Sequence, residues 1–185
     1  EIRLSLVGSE MCIRDRSISY NGAESLKRIT LELGGKGANL IFADADEDAV
    51  ARGVRTCFSN TGQSCNAPTR MLVEHNLYQK ALIQAKEAGE KVLVDKSNKP
   101  GPHIGPVVSA AQYQRVQDLI QAGIDEGAKL LIGGTGKPEG LEEGFFVKPT
   151  IFYDVTPQMR IFKEEVFGPV LCMICLLYTS PSPRD

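Results

Sequence analysis

The chain has 185 residues, of which 42% are hydrophobic and 24% are charged, and its formal net charge is −2 at pH 7. These values are typical of one globular domain, and they exclude a disordered chain and a coiled coil. The small net charge argues against binding to nucleic acid or to an anionic membrane surface, and no apolar run reaches the roughly 20 residues that span a bilayer.

The cysteine and histidine content indicates an intracellular protein without a metal centre. Five cysteines in irregular spacing do not resemble a disulfide framework, and they suit the reducing cytoplasm. Only two histidines are present, and no Cys-x-x-Cys pair or histidine-rich cluster offers the spacing of metal ligands. We therefore expect a cytoplasmic protein with no metal site.

The two ends differ from the middle of the chain. Neither Leu6–Arg16 nor Cys175–Asp185 has helical or strand periodicity. A single stretch of DNA can encode CLLYTSPSPRD on one strand and LVGSEMCIRD on the complementary strand, read in a shifted frame. This DNA resembles a transposase adapter used in preparing sequencing libraries. We interpret residues 1–16 and 175–185 as artefactual segments whose cysteines carry no function. A natural tail at each end is the alternative. The remainder starts and stops abruptly, as expected of an internal portion of a longer enzyme.

The first half of the middle predicts two strands and a helix. Arg28–Leu33 alternates β-branched and apolar residues before a Gly-Gly turn, and Asn39–Ala43 is a second short apolar run, so both are predicted strands. Apolar residues at helical spacing from Ala49 to Phe58 predict a helix. Its first turn is predicted to be acidic, from Asp44 to Asp48, which suits the positive end of the helix dipole.

The second half continues this alternation after a polar, turn-rich stretch at Thr61–Thr69. Alternating strands and helices predict an α/β fold with a mostly parallel sheet flanked by helices. The remaining predicted elements are, in order, a strand at Met71–Glu74, a helix at Leu77–Ala88, a loop at Ser97–Gly105, an amphipathic helix at Ala110–Gly127, and strands at Lys129–Ile132, Phe145–Phe152 and Val166–Met173.

Cys65 is the candidate nucleophile because it lies in a turn, Gly62-Gln63-Ser64-Cys65. A turn can expose the sulfur and surround it with backbone N–H groups that favour the thiolate. A lone cysteine is more often a small buried apolar residue. Cys57 and Cys172, which lie in apolar runs, fit that second interpretation.

Glu32 is the candidate general base. It lies in an apolar run, and a buried glutamate has a raised pKa, as a base working near neutral pH requires. The alternative is a glutamate on an edge strand that points to water.

A third candidate site is the run Glu164–Pro169, EEVFGP. Its acids could bind the hydroxyls of a sugar while the aromatic ring packs against a flat ligand. An acidic, solvated turn would explain the pattern equally well.

The three motifs together are similar to one known family. The order and spacing of Glu-Leu-Gly-Gly-Lys at Glu32–Lys36, Gly-Gln-Ser-Cys at Gly62–Cys65 and Glu-Glu-Val-Phe-Gly-Pro at Glu164–Pro169 resemble the aldehyde dehydrogenase superfamily. The likeness covers Asn21–Leu171. It implies that residues 17–36 end a cofactor-binding domain, and that residues 37–174 are most of a catalytic domain.

The resemblance also implies roles for the site residues. Cys65 would attack an aldehyde, with its backbone N–H forming half of an oxyanion hole, and Glu32 would activate the water that hydrolyses the thioester. Glu165 would bind the hydroxyls of the nicotinamide ribose, and Phe167 would pack near the ring. The backbone carbonyl of Leu33 would orient the carboxamide. The cofactor would be NAD or NADP, the substrate a small-molecule aldehyde, and the parent protein a homodimer or homotetramer.

Two departures from the family pattern are visible. Gly37-Ala38 stands where Ser-Pro is common. The oxyanion-hole asparagine, the phosphate-binding loop and the oligomerisation strand lie outside this sequence, so the chain as written is expected to be inactive.

Two alternative functions remain. A coenzyme A-acylating dehydrogenase is the alternative enzyme, although Glu32 argues against it. A noncatalytic paralogue with a binding role is the alternative of another class.

Overall fold

The computed structural model of the chain describes residues 10–31 and 34–176. They divide into two compact units, of which the first ends at Gly35 and the second begins at Lys36. Over these residues, no helix combines the length and the apolar character that a membrane span requires.

The first unit consists of helix α1, Glu10–Ala23, followed by an extended segment. The Lys27 N–H donates to the Gly22 carbonyl at 3.2 Å, and a Cβ atom on Gly22 would lie only 2.7 Å from Ile29 Cδ1. The extended segment therefore turns back onto the end of the helix.

Two expectations for this region are wrong in the described residues. Helix α1 begins at Glu10, inside the terminal segment in which no periodicity was found. The predicted strand at Arg28–Leu33 is not formed over residues 28–31. A strand requires a neighbour to pair with its backbone groups, and the described part of this unit contains no other strand.

The second unit is built on a five-stranded sheet with the order β1-β2-β7-β6-β5. Neighbouring strands are parallel except for β5 and β6, so the prediction of an α/β fold with a mostly parallel sheet is confirmed. A separate two-stranded sheet pairs β3 with β4. The strands are β1 (Ala38–Ile41), β2 (Arg70–Glu74), β3 (Leu93–Val94), β4 (His103–Ile104), β5 (Lys129–Ile132), β6 (Thr150–Tyr153) and β7 (Val170–Leu176).

Helices cover both faces of the larger sheet. Along β7, Leu171 and Met173 belong to one buried cluster with α2 and α3, whereas Val170 and Cys172 belong to a second cluster with α4 and α5. Because both faces are buried, β7 is a continuous apolar run rather than an alternating one. The helices are α2 (Ala49–Phe58), α3 (Tyr78–Glu90), α4 (Ala110–Asp125) and α5 (Arg160–Lys163).

Helix α2 begins after the acidic residues rather than within them. The predicted acidic first turn is wrong, because the first helical residue is Ala49. Asp46 accepts a hydrogen bond from the Asp48 N–H at 3.0 Å and pairs with Arg52 at 2.6 Å. These acids therefore organise the turn before the helix.

The strand predicted at Phe145–Phe152 forms only from Thr150 onward. Phe146 and Val147 are buried, which accounts for the apolar pattern, but their backbone is irregular. Pro149 directly precedes the strand, and proline has no N–H with which to pair. Apolar burial alone is therefore a weak indicator of a strand in this segment.

Candidate active site

The segments that precede strands β1, β2 and β7 reach the sheet from the same edge. Lys36 lies just before β1, Cys65 lies five residues before β2, and Glu165 lies five residues before β7. Since β2 pairs with β1 on one side and with β7 on the other, all in parallel, their amino ends face one edge. This edge is not the usual one, because ligand sites in open α/β sheets usually lie at the carboxyl ends of the strands. Glu32 and Leu33 lie outside the described residues.

Cys65 lies in an exposed turn that the Ala67 N–H closes by donating to the Ser64 carbonyl at 3.0 Å. Within the described residues, no acceptor binds the backbone N–H of Cys65. The sulfur is therefore open to a small molecule, and the adjacent N–H can bind an oxygen that develops negative charge.

The residues before this turn have an unusual backbone. Asn60, Thr61 and Gly62 have φ values of 51°, 58° and 69°, in the left-handed region that residues other than glycine rarely adopt. The segment is closed by two hydrogen bonds: Gln63 N–H donates to the Asn60 carbonyl at 3.0 Å, and Asn60 Nδ2 donates to the Gln63 carbonyl at 3.1 Å. The chain thus changes direction sharply between the end of α2 and Cys65.

The loop between β4 and α4 supports this segment. Thr61 is buried, and its Oγ1 donates to the Gly105 carbonyl at 3.1 Å. The Val108 N–H donates to Gln63 Oε1 at 2.9 Å. A cleft of about 520 Å³ lies beside these contacts, and Cys65 is not among its lining residues. Those residues include Asn60, Thr61, Gln63, His103, Val108 and Phe145.

Glycines bring the segments before β1, β2 and β7 into direct contact. A Cβ atom on Gly62 would overlap the carbonyl group of Gly168. The segment before Cys65 therefore packs directly against the Glu164–Pro169 segment. A Cβ atom on Gly37 would lie 2.6 Å from the Ala67 carbonyl oxygen, and the Arg70 N–H donates to the Gly37 carbonyl at 3.1 Å. The segments that precede β1, β2 and β7 within the second unit are therefore contiguous at the amino ends of these strands.

The predicted ribose-binding segment is fixed by helix α4. Phe167 has a φ of 54°, a strained value for an aromatic residue. Gln112 Nε2 donates to the Val166 carbonyl at 3.0 Å and to the Phe167 carbonyl at 2.9 Å. Glu165 is half-buried, and its backbone carbonyl lies 3.5 Å from Arg115 Nη2.

Gln112 was not singled out in the sequence, although a signal for it exists. Ser109-x-x-Gln112 is the pattern of a capping box, and Ser109 Oγ accepts the Gln112 N–H at 3.2 Å. In a capping box, the glutamine side chain would turn back to the first residue. Here it reaches the turn that contains Phe167 instead.

Lys36 is a second residue that sequence reasoning did not single out. Its Nζ atom is buried, and no described residue forms a hydrogen bond with it. Burial lowers the pKa of Lys36; the nearby Arg70 acts in the same direction, while Cys172, Cys57 and Glu165 oppose it. Its carbonyl oxygen accepts a hydrogen bond from Arg70 Nη2.

Two other cysteines have the structural role that their apolar context predicts. Cys57 and Cys172 are completely buried, and burial raises the pKa of both thiols. The Sγ atoms lie 3.8 Å from the Val170 carbonyl and 3.4 Å from the Ile161 carbonyl, respectively. The interpretation of both as core residues is confirmed.

The chain is similar in sequence and fold to known dehydrogenases. The aldehyde dehydrogenase family model matches residues 3–178. The chain is 50% identical to the 3-succinoylsemialdehyde-pyridine dehydrogenase of a Pseudomonas species over 158 residues, which are 85% of this chain and 33% of that protein.

Two solved structures extend this similarity to the fold. An aldehyde dehydrogenase from Bartonella henselae superposes with a TM-score of 0.84 and 61% identity, over 87% of this chain and 34% of that one. A cysteine-to-alanine variant of aldehyde dehydrogenase C from Pseudomonas syringae, in complex with NAD+ and octanal, has a TM-score of 0.83 and 43% identity over 87% and 33%. The chain thus spans about a third of the length of the proteins it matches. Its motifs, its sheet and these relatives agree, and the chain belongs to the aldehyde dehydrogenase family.

Proposed function

We propose that the protein to which this sequence belongs oxidises an aldehyde to a carboxylic acid with NAD+ or NADP+, and that Cys65 is its nucleophile. The observation that carries the proposal is the exposure of Cys65 in a turn. No described residue accepts a hydrogen bond from the Cys65 N–H, and Gly62, in the same segment, packs against Gly168. The buried Cys57 and Cys172 offer no competing nucleophile.

The first step is the addition of the Cys65 thiolate to the aldehyde carbon. A carbon–sulfur bond forms, and the carbonyl oxygen becomes an oxyanion next to the Cys65 N–H, giving a thiohemiacetal. Loss of hydride from that carbon leaves a thioester on Cys65. Water then adds to the thioester, the carbon–sulfur bond breaks, and the carboxylic acid and free thiol are released. Glu32 takes the proton from that water.

The residues around Phe167 fit a nicotinamide nucleotide. Glu165 offers a half-buried carboxylate for a pair of ribose hydroxyls, and the backbone of Phe167 is fixed by Gln112 before any ligand is present. Phe167 would pack near the nicotinamide ring, and the Leu33 carbonyl would orient the carboxamide. The dinucleotide, when bound, supplies the acceptor for the hydride.

The proposed substrate class is a small-molecule aldehyde. One relative is named for a semialdehyde that carries a pyridine ring, and a structural neighbour was crystallised with octanal, an aliphatic aldehyde. Both compounds react at the aldehyde carbonyl group, so we assign that chemistry to this protein. We do not specify the group that the aldehyde carries.

The test is a chimaera in which residues 21–174 replace the corresponding segment of the Bartonella henselae enzyme. Cys65→Ala should abolish NADH formation and retain binding of NAD+, whereas the control Cys57→Ala should keep turnover. Glu32→Gln should give a burst of about one NADH per active site and then stop, because the thioester accumulates. Turnover by Cys65→Ala would overturn the proposal, and acyl-coenzyme A as the product would favour the acylating alternative.

A further inference from the structure

The backbone before Cys65 is strained at a residue that is poorly suited to its conformation. Thr61 has a φ of 58°, and a β-branched residue rarely adopts a positive φ. Such strain persists only where the surrounding contacts maintain it, and it concentrates at functional sites. The contacts that hold Thr61 in this conformation therefore bear on the placement of Cys65, four residues later.

Those contacts are made with the connector between β4 and α4, residues 105–109. The Thr61 side chain is buried, with 3% of the residue exposed, and its Oγ1 donates to the Gly105 carbonyl at 3.1 Å. Gln63 Oε1 accepts the Val108 N–H at 2.9 Å. The segment before Cys65 is thus attached to the connector at two points.

The connector is fixed in turn by its own contacts. Val107 is buried, and its N–H donates to the Phe145 carbonyl at 3.0 Å. Ser109 caps α4 by accepting the Gln112 N–H at 3.2 Å, and Gln112 Nε2 donates to the Phe167 carbonyl at 2.9 Å. One short stretch of chain, residues 105–112, therefore contacts both the segment before Cys65 and the turn that contains Phe167.

We propose that Thr61 is a positioning residue for the nucleophile, and that its hydroxyl group fixes Cys65 relative to the Phe167 turn through the connector. This inference rests on the roles of Cys65 and Phe167 in the proposed function. Transfer of hydride requires the carbon bound to Cys65 to lie against the nicotinamide in a near-attack geometry. A small displacement of Cys65 would therefore slow this step without removing the thiol or the cofactor.

Thr150 provides a matched comparison for a purely structural role. It is also completely buried, and its Oγ1 donates to the Lys148 carbonyl at 2.8 Å and accepts the Gly134 N–H at 3.1 Å. Its side chain thus bonds to the loop between β5 and β6, away from the connector. Loss of either threonine hydroxyl leaves buried polar groups without a partner and destabilises the fold.

The experiment compares Thr61→Val, Thr61→Ser and Thr150→Val in the Bartonella chimaera, with octanal as the probe aldehyde. Stopped-flow absorbance follows the formation of NADH in the first turnover at saturating NAD+. We expect Thr61→Val to lower the rate constant of this turnover roughly ten- to hundredfold, with a change of less than about twofold in the Kd for NAD+. Thr61→Ser keeps the hydroxyl group and should restore most of the rate. Thr150→Val should lower the Tm but leave the rate constant unchanged.

Equal slowing by Thr61→Val and Thr150→Val, or by Thr61→Val and Thr61→Ser, would overturn the role of the Thr61 hydroxyl. Cys65→Ala in the same chimaera separates this inference from the proposed function. Turnover by Cys65→Ala would overturn both, whereas a normal first turnover of Thr61→Val beside an inactive Cys65→Ala would overturn the role of Thr61 alone. If Thr61→Val does not fold, Thr61→Ala provides the same comparison, because alanine lacks both the hydroxyl group and the β-branch.

Discussion

Gly62 packs directly against the carbonyl group of Gly168, so that the turn before the proposed nucleophile rests on the turn after the proposed ribose-binding glutamate. The Pro169 nitrogen is the next nearest atom, at 3.0 Å from where a Cβ atom on Gly62 would lie. Both segments precede parallel strands that pair with each other. The two segments therefore contact each other through their backbones, without any intervening side chain.

This contact predicts a large cost for Gly62→Ala. Its φ of +69° alone would cost alanine about 1–2 kcal/mol, and the overlap with Gly168 adds to that. We expect urea unfolding of the 185-residue chain to show a loss of more than about 2 kcal/mol. Gly140→Ala is the control, since Gly140 has a φ of +77° and open space around it, and should lose only about 1 kcal/mol. Equal losses in the two variants would refute the importance of the contact.

The anchoring of Phe167 by Gln112 predicts that Gln112→Leu loosens this turn. Two hydrogen bonds from Nε2 are lost, and we expect the free energy of unfolding to fall by about 1–3 kcal/mol. Hydrogen exchange should become faster at Phe167 and Gly168. The control is Gln114→Leu on the same helix, where the side chain bonds only to the exposed Asp118. A similar change in both variants would show that the anchor is unimportant.

Differences in burial predict that alkylation distinguishes the cysteines. Iodoacetamide should label Cys65 in the folded chain, because this residue is exposed. Cys57 and Cys172 are completely buried and should react only through opening of the core, slower by orders of magnitude. Peptide mass spectrometry gives the extent of labelling at each position, and addition of urea should equalise the rates. Rapid labelling of Cys57 in the native chain would contradict the described core.

The buried Tyr78 predicts an alkaline loss of stability. Burial raises the pKa of Tyr78 from 10.0 to about 12, and its Oη accepts the Asp154 N–H at 3.0 Å. The neutral phenol is thus favoured in the folded state. Its contribution is fully present below about pH 10 and is lost as the pH rises toward 12.

The measurement is urea unfolding of the parent chain and Tyr78→Phe at several pH values between 8 and 11. The stability advantage of the parent chain should shrink over that range, because the phenylalanine does not ionise. Tyr20→Phe serves as the control, since Tyr20 is 81% exposed. A constant gap between parent and Tyr78→Phe across the range would exclude this linkage.

The regular elements of the second unit could be predicted from periodicity. The strand at Lys129–Ile132 has the predicted bounds, and the helix at Ala110–Asp125 ends two residues before the predicted Gly127. Both carry patterns that local sequence alone specifies. Arg28–Leu31 has an equally good strand pattern but forms none, because a strand also requires a neighbour that the sequence pattern does not reveal.

The assembly of the site was harder to predict from the sequence than the regular elements were. The sequence singled out Cys65, Glu165 and Phe167 through motifs, but not their common position at the amino ends of adjacent strands. Gln112 is separated from Phe167 by dozens of residues in the chain, and only the fold brings the two together. The left-handed backbone of Asn60 likewise has no local signature, since tertiary contacts maintain it.

The opposite, carboxyl edge of the sheet has a practical use. The loop after β1, residues 42–47, is exposed and lies at the opposite end of the strands from Cys65 and Glu165. A fluorophore or a short insertion placed there would be separated from the Cys65 turn by the full length of a strand. This loop is therefore a suitable attachment point for a reporter that follows ligand binding without altering it.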